Sequence, residues 1–417
     1  MGSPFRICVN PVGLSLMLFA GVVALAAPAS AQDADAPDTS RQGLSFKPDA
    51  GVIYQSGDFL LTAWGFAERL VDPDGPDSFR RVRQGAEFDF PRFTSSLRGA
   101  LVYEVDLTNT DFFGDFGNGG RLSRRNFENL FLALQDANDP GRFRILIGEN
   151  THILSRDDNL SSGNLPTINR SLILEEHGSV NSFGTQWGVQ FQRALSDRVT
   201  IQFAAADNRG SLNAAEARYE IGNSLAAKVL LTPINDSEDG RRLTIGFAVD
   251  QTRDIRDRTF TLATAIAAAP LGGVLAAGDK FTGESDITYT FPLFGRPMTM
   301  DAEAIYSSFS ASDSDVAGGY AMVQYSLFDT DAAGDLDVFA RYDLVSLGQD
   351  SIDGRATQRG IRTGFNYNLP HMNKLLNLHL EYARNSVSGP AAIVTGDRSS
   401  DEVRAELRFS LQQYARH

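Results

Sequence analysis

The chain has 417 residues, 42% of them hydrophobic and 22% charged, with 38 glycines, 28 phenylalanines and a formal charge of −14. That length is more than one small globular core needs, and disordered chains are poor in aromatic residues. The acidic balance argues against a nucleic-acid partner, because neutralising phosphates takes clustered Lys and Arg. Lys occurs only at Lys47, Lys228, Lys280 and Lys374, so nearly all positive charge sits on Arg. Arg keeps its charge at any working pH and presents a planar fork of donors.

In chain order, the first predicted element is a cleaved signal peptide over residues 1–31. Arg6 is its basic start, Val12 to Ala24 its apolar run, and Ala29-Ser30-Ala31 before Gln32 its cleavage site. Cys8, the only cysteine, leaves with it, so the mature chain offers no disulfide, thiolate nucleophile or Cys-ligated metal. Asp157-Asp158 and the pair Asp313 and Asp315 are the obvious acidic clusters, yet no spacing matches an EF-hand. Neither a metal nor a cofactor is expected. Past the signal peptide no apolar stretch approaches the ~20 residues a membrane helix needs. The mature chain is then either soluble in the periplasm or crosses a membrane as strands.

Residues 32–57, rich in Asp, Ala and Pro, read as a flexible periplasmic leader. From residue 58 to residue 417 the pattern changes to segments of about ten residues that alternate apolar with polar or small side chains. Val82, Gln84, Ala86, Phe88 and Phe90 alternate with Arg83, Gly85, Glu87 and Asp89. Val403, Ala405, Leu407, Phe409 and Leu411 alternate with Arg404, Glu406, Arg408 and Ser410. About sixteen such segments begin near Phe59, Arg81, Ser96, Asn126, Arg142, Thr185, Arg198, Leu225, Leu243, Phe281, Met298, Ala317, Leu336, Arg359, Leu376 and Glu402. Asn126 to Gln135, Leu225 to Thr232 and Met298 to Phe309 alternate imperfectly. Ala-rich Thr261 to Pro270 fits a short helix or two more strands. Counts of about fourteen or eighteen therefore stay open.

Short connections such as Asn138-Asp139-Pro140-Gly141, Ser196-Asp197 and Gly295-Arg296-Pro297 alternate with longer polar ones, of which Glu149 to Gly184 is the longest. That asymmetry predicts an all-β fold: an antiparallel transmembrane barrel in the outer membrane of a Gram-negative cell, embedded in lipid and lipopolysaccharide. A sandwich has no reason for strict long and short alternation, and no repeat of about forty residues suggests a propeller. Trp64, Phe66, Phe88, Phe90, Tyr103, Trp187, Phe291, Tyr342, Tyr367 and Tyr382 are read as interface girdles on the outer face or at strand ends.

Four places resemble the phosphate-selective porin O and P family. They are Phe79-Arg80-Arg81-Val82-Arg83 with Gly85 and Glu87, then Phe143 to Gly148, then Ile168-Asn169-Arg170-Ser171-Leu172, then Phe183 to Val189. The resemblance implies a sixteen-stranded, homotrimeric porin whose third external loop folds inward and narrows the pore. It further implies passive diffusion of small polar or charged solutes or inorganic ions, with phosphate or other anions among the candidates. The C-terminus departs from the usual barrel ending, since Tyr414-Ala415-Arg416-His417 runs past the last strand-like aromatic.

Alternation places Arg83, Arg98, Arg142 and Arg144 on the lumen side of the first half, and the loop adds Arg156 and Arg170. These are candidates for an arginine face opposed by Asp157, Asp158, Glu175 and Glu176, since fixed charge in a narrow pore sets which ions enter. Arg341, Arg362, Arg404 and Arg408 also face the lumen in this pattern. Two other classes fit the same alternation. One is a barrel enzyme of the lipase or protease class, although neither Gly-x-Ser-x-Gly nor His-Glu-x-x-His occurs and the five His (His152, His177, His371, His379, His417) are scattered. The other is a plugged structural barrel.

Overall fold

A computed structural model describes residues 43–47, 51–56, 59–71, 78–106, 127–160, 165–175, 185–207, 223–260, 274–330, 334–369, 375–390 and 398–410. The expected signal peptide and the Ala-rich Thr261 to Pro270 lie outside them. A short pair, β1 (Gly43–Lys47) and β2 (Gly51–Ser56), comes first. The wall starts with β3 (Phe59–Val71), β4 (Ser78–Asp89), β5 (Leu97–Asp106), β6 (Phe127–Asp136), β7 (Phe143–Thr151), β8 (Thr185–Ser196) and β9 (Val199–Asp207). Next come β10 (Asn223–Asp236), β11 (Arg241–Phe260), β12 (Val274–Leu293), β13 (Arg296–Phe309) and β14 (Ser314–Thr330). The last four are β15 (Gly334–Gln349), β16 (Ala356–Asn368), β17 (Leu376–Ser388) and β18 (Arg398–Ser410).

From β3 to β18 each strand pairs antiparallel with the next, and β18 returns to β3 from Ala405↔Val71 to Ser410↔Phe66. Sixteen strands thus close a barrel. All sixteen predicted segments are present. The largest offset is at β12, which begins at Val274 and not at Phe281. Its partner β11 likewise runs on to Phe260, through register shifts after Thr252 and Ile255. At 20 residues each, both exceed the 9–11 residues that a tilted strand needs to span, so this hairpin projects beyond the bilayer.

Part of the stretch expected to be a flexible leader is ordered. β1 pairs with β2, and β2 pairs with β3 from Val52↔Ala63 to Ser56↔Phe59. β2 thereby takes the edge of β3 that β18 leaves uncovered beyond Phe66. One predicted turn also shifts by a residue. Phe294 (φ 51°) and Gly295 (φ 75°) form the two-residue link between Leu293 and Arg296. Two consecutive positive φ values define the hairpin turn whose twist suits antiparallel strands, and Arg296 and Pro297 begin β13 instead.

The wall has two chemistries, set by the two-residue period. In β15, Tyr342 and Leu344 are 43% and 37% exposed toward lipid, while Arg341 and Asp343 between them are 2% and 0% exposed. The inner face also carries apolar material. Trp64 packs with Ala100, Val102, Phe131 and Ala133, whose strand neighbours Leu101 and Leu132 are exposed on the lipid side. The indole lies across Gly85, where a Cβ would come within 2.5 Å of Cε2. Phe66 is buried on the same face. The girdle expectation is thus corrected for Trp64 and Phe66. Their alternation partners, Ala63, Gly65 and Ala67, are all small.

The chain has two tryptophans, Trp64 at 5% and Trp187 at 41% exposure. In vesicles of brominated lipid, the Trp64→Phe protein, which keeps Trp187, is expected to be strongly quenched. The Trp187→Phe protein is expected to show little quenching; equal quenching of the two would refute the inward placement of Trp64.

Candidate functional site

The connection from β7 to β8 contains two single-turn helices, α1 (Arg156–Asn159) and α2 (Leu172–Glu175). Irregular backbone removed from water needs a partner for each N–H and C=O. Here side chains from the second half of the wall supply them. Arg408 on β18 donates from Nη1 to the Leu165 carbonyl (2.8 Å) and from Nη2 to that of Thr167 (3.2 Å). Arg362 on β16 donates from Nη1 to the carbonyls of Asn169 (3.0 Å) and Arg170 (2.8 Å). Asn366 Nδ2, also on β16, reaches the Pro166 carbonyl at 2.8 Å.

Carboxylates of the same wall accept the N–H groups. Ile168 N–H donates to Glu381 Oε2 (3.0 Å) and Leu172 N–H to Asp343 Oδ1 (3.3 Å). The first turn of α1 is held by Glu303, which accepts from the N–H groups of Arg156 (3.1 Å) and Asp157 (3.2 Å). Only the fork of Arg gives several donors in fixed geometry, so one side chain bridges loop and wall. Arg341 illustrates this: it donates to Thr167 Oγ1 (3.3 Å), Asp157 Oδ2 (3.3 Å) and Asp343 Oδ1 (3.1 Å), with its guanidinium 3.9 Å from the centre of the Tyr320 ring.

Apolar packing completes the contact. Leu154, Leu172, Ile173 and Leu174 are buried against Ile305, Phe309, Val316, Val345, Leu347 and Val387. These wall residues occupy the face turned away from lipid, at positions where a water-filled barrel would carry polar side chains. They account for the imperfect alternation of Met298 to Phe309, where Ile305 and Phe309 share a face with Asp301 and Glu303. The root of the connection is tied to β10. Lys228 Nζ donates to the Leu154 carbonyl (2.6 Å) and lies 2.9 Å from Asp286 Oδ2 and 3.3 Å from Glu284 Oε2. His152 Nδ1 accepts the Leu154 N–H at 3.2 Å, with Nε2 3.7 Å from Asp250 Oδ1.

The sequence-derived residues fall into three groups. Arg156 Nε donates to Asp301 Oδ1 (3.0 Å) on β13. Arg170 holds the connection together by donating to the Asp157 and Leu160 carbonyls. The Asp157 carboxylate accepts from Ser171 N–H (2.7 Å) and from Arg341, so it serves docking and does not face the first-half arginines. Burial alone would raise the Asp157 pKa, but Arg341, Arg170 and the Ser171 N–H outweigh it and hold the carboxyl below the ordinary range. The Asp158 and Glu175 side chains and all of Glu176 lie outside the described residues.

The second group lines the first half of the wall. Arg83 is 3.1 Å from both Glu104 and Glu128 and lies over the Phe66 ring. Arg98 sits 3.5 Å from Asp89, and Gln135 accepts from it at 3.2 and 3.3 Å with the amide oxygen turned toward the guanidinium. Arg144 pairs across the strands with Gln135 and Gln192 on the same inner face. Arg142 forms the third group by itself. It is exposed at the β6–β7 turn, with its N–H on the Asp139 carbonyl (3.0 Å) and its own carbonyl accepting from Ala194 N–H, at the end of the barrel opposite α1 and α2. Sequence reasoning put Arg341, Arg362 and Arg408 in the lumen, but nothing in their spacing reveals that the connection consumes them.

A family model described as phosphate-selective porin O and P matches residues 68–412 of the chain. Curated protein sequences give no match. Among solved structures, the chain resembles the trimer form of the outer-membrane protein OmpT of Vibrio cholerae at a TM-score of 0.54 and 10% identity, covering 84% of this chain and 99% of that one. It is similar to an anion-selective porin from Comamonas acidovorans (TM-score 0.52, 14% identity, 84% of this chain and 99% of that one). The outer-membrane channel DcaP of Acinetobacter baumannii gives 0.52 at 13% identity, over 85% and 98%. At these identities the likeness is one of fold.

A carboxyl held below its ordinary pKa contributes docking energy fully above about pH 4 and loses it only as pH falls through the depressed value. The Asp157 contribution to docking, read as the difference in single-channel conductance between wild type and Asp157→Asn, is therefore expected to stay constant from pH 7 to about pH 4 and to vanish only in stronger acid. Asp157→Asn, which leaves Arg341 without its carboxylate, is expected to weaken docking by about 3 kcal/mol and to show altered conductance already at neutral pH. Identical profiles for the two proteins would sink this assignment.

Proposed function

Since the chain belongs to the phosphate-selective porin O and P family and is an outer-membrane porin of a Gram-negative bacterium, we propose that its third external connection is the constriction of a diffusive pore. The observation that carries the reading is the docking of residues 152–175 onto inner-face side chains of β10 and β13–β18. Bonding of a loop that leaves the wall at β7 to strands this far around the barrel supports a path across the lumen. The passage then runs between the loop and the first half of the wall, past Arg98, Arg144 and Gln135 on one side and Arg156 and Arg170 on the other. The arrangement passes small polar or charged solutes, because fixed dipoles and charges replace part of the hydration shell while an apolar solute gains nothing there.

The activity is passive and non-catalytic. His152, at the root of the connection, already uses Nδ1 to hold the Leu154 N–H. A trimer is proposed because the Vibrio cholerae OmpT structure of similar fold is described as a trimer form. Lipid and lipopolysaccharide are proposed to surround the outer face. Anion preference is the ion selectivity we assign, supported by the arginines left on β5 and β7 and by the anion selectivity of the Comamonas acidovorans porin of similar fold.

The test is planar-bilayer recording under a KCl gradient. Wild-type protein is expected to give stable conductance with an anion-selective reversal potential. Arg98→Ala with Arg144→Ala is expected to move that potential toward cations while Arg142→Ala, at the far turn, leaves it in place. Cation preference in the wild type, or no movement in the double variant, would remove these arginines from selectivity. Silence from correctly folded protein would discard the open pore.

A further inference from the structure

The outer face should carry no charge at bilayer depth, because a guanidinium is strongly disfavoured at the midplane and tolerated only near the interface. Two arginines break the apolar pattern on adjacent strands. Arg359 on β16 and Arg384 on β17 are both exposed, while Gln358, Gly360, Ala383 and Asn385 beside them are buried toward the inside. Arg359 pairs across to Ser386 and Arg384 to Ile361, which makes the two arginines diagonal neighbours on one outward surface. Like charges so placed repel unless an anion lies between them.

Their height is fixed by what lies next to them. Arg359 is one pleat above Ile361, and Arg384 one pleat above Tyr382, on the side of the 350–355 turn that belongs to the long-connection rim. Tyr342, paired with Ile361, and Tyr382 are outward tyrosines of the kind that mark the headgroup level. Exposed apolar wall surrounds them: Leu344 pairs with Arg359, Ile361 with Tyr342 and Val403 with Tyr382, and Leu380 lies one pleat below Tyr382. The compensation present is small. Asp401 lies 3.9 Å from Arg384 Nε and accepts the Tyr382 hydroxyl at 2.6 Å. Nearby Arg355 is already committed to Asp315 and to Ser346 Oγ. Arg359 makes no ion pair or hydrogen bond among the described residues.

We propose that Arg359 and Arg384 form a docking site for a phosphorylated headgroup of the outer-leaflet glycolipid, with its acyl chains on the apolar wall below. Two forked donors on one surface match the geometry of phosphate oxygens, and the two guanidinium charges, only one of which has a nearby carboxylate (Asp401, 3.9 Å from Arg384 Nε), complement them. The neighbouring rim around β12–β14 carries Asp279 and Asp313, with Asp350 just past the end of β15, and would hold phosphate only through a divalent cation. This inference deepens the lipid contact proposed above and is independent of the pore's selectivity.

The test compares wild-type full-length protein with Arg359→Gln/Arg384→Gln in detergent, by native mass spectrometry. The probes are purified bis-phosphorylated lipid A and the same lipid enzymatically dephosphorylated. Wild type is expected to prefer the phosphorylated form by roughly tenfold, the size of a lost charge-assisted contact, with EDTA present. The double variant is expected to lose that preference yet keep wild-type channel conductance, since neither side chain faces the lumen. An undiminished preference in the variant overturns the proposal. So does a wild-type preference abolished by EDTA, which would place the site on the acidic rim. Absence of conductance in both proteins would instead count against the pore reading and leave the lipid comparison intact.

Discussion

Lipid offers a peptide group no hydrogen-bond partner, and closure of the β18–β3 seam is what makes this chain compatible with it. The seam is short: β3 meets β18 only from Phe66 to Val71. The remaining edge, from Phe59 to Ala63, is covered by β2. The N-terminal pair is therefore part of the wall's accounting. Without it β3 would present unpaired N–H and C=O groups at the end of the barrel where β3 begins and β18 ends, a template for pairing with other chains.

Closure creates a second demand, because a sixteen-stranded barrel is wide enough to leave an aqueous lumen. Water satisfies polar side chains there but gives an irregular loop no fixed position. The order of the β7–β8 connection comes from two contributions acting together. Leu154, Leu172, Ile173 and Leu174 remove apolar area from water against Val316, Val345 and Leu347. Arg341, Arg362 and Arg408, with Glu303, Asp343 and Glu381, satisfy the backbone that this burial would otherwise strand. Buried ionic groups are weak sources of net stability but strong sources of specificity, since a slip of the loop would leave charges unpaired in a dry setting.

The same arrangement divides the charges of the lumen between two tasks. On β13–β18 the arginines are turned to loop carbonyls and carboxylates, so their charge is spent on docking. On β4–β7, Arg83 is balanced by Glu104 and Glu128, while Arg98 and Arg144 keep amide as well as acidic neighbours. A count of lumen-facing arginines thus overstates the field that a solute meets.

The sequence by itself determined the class of fold, a count of about sixteen wall strands and the direction most wall residues face. A strand in lipid must alternate with period two, and that rule is local. It placed Arg341, Arg362 and Arg408 inside, and Tyr342 outside. It misread Trp64 and Phe66, because an aromatic that alternates with small residues looks the same to a periodicity argument whichever face it takes. It found Met298 to Phe309 irregular without saying why. Only the tertiary structure decided that Ile305 and Phe309 are apolar because α2 and its flanks pack nearby, and that Asp157 belongs to Arg341 and not to Arg83. These partners lie more than a hundred residues apart in the chain and are joined by barrel curvature. No spacing rule carries that information, because the register that brings them together is set by the closed sheet as a whole.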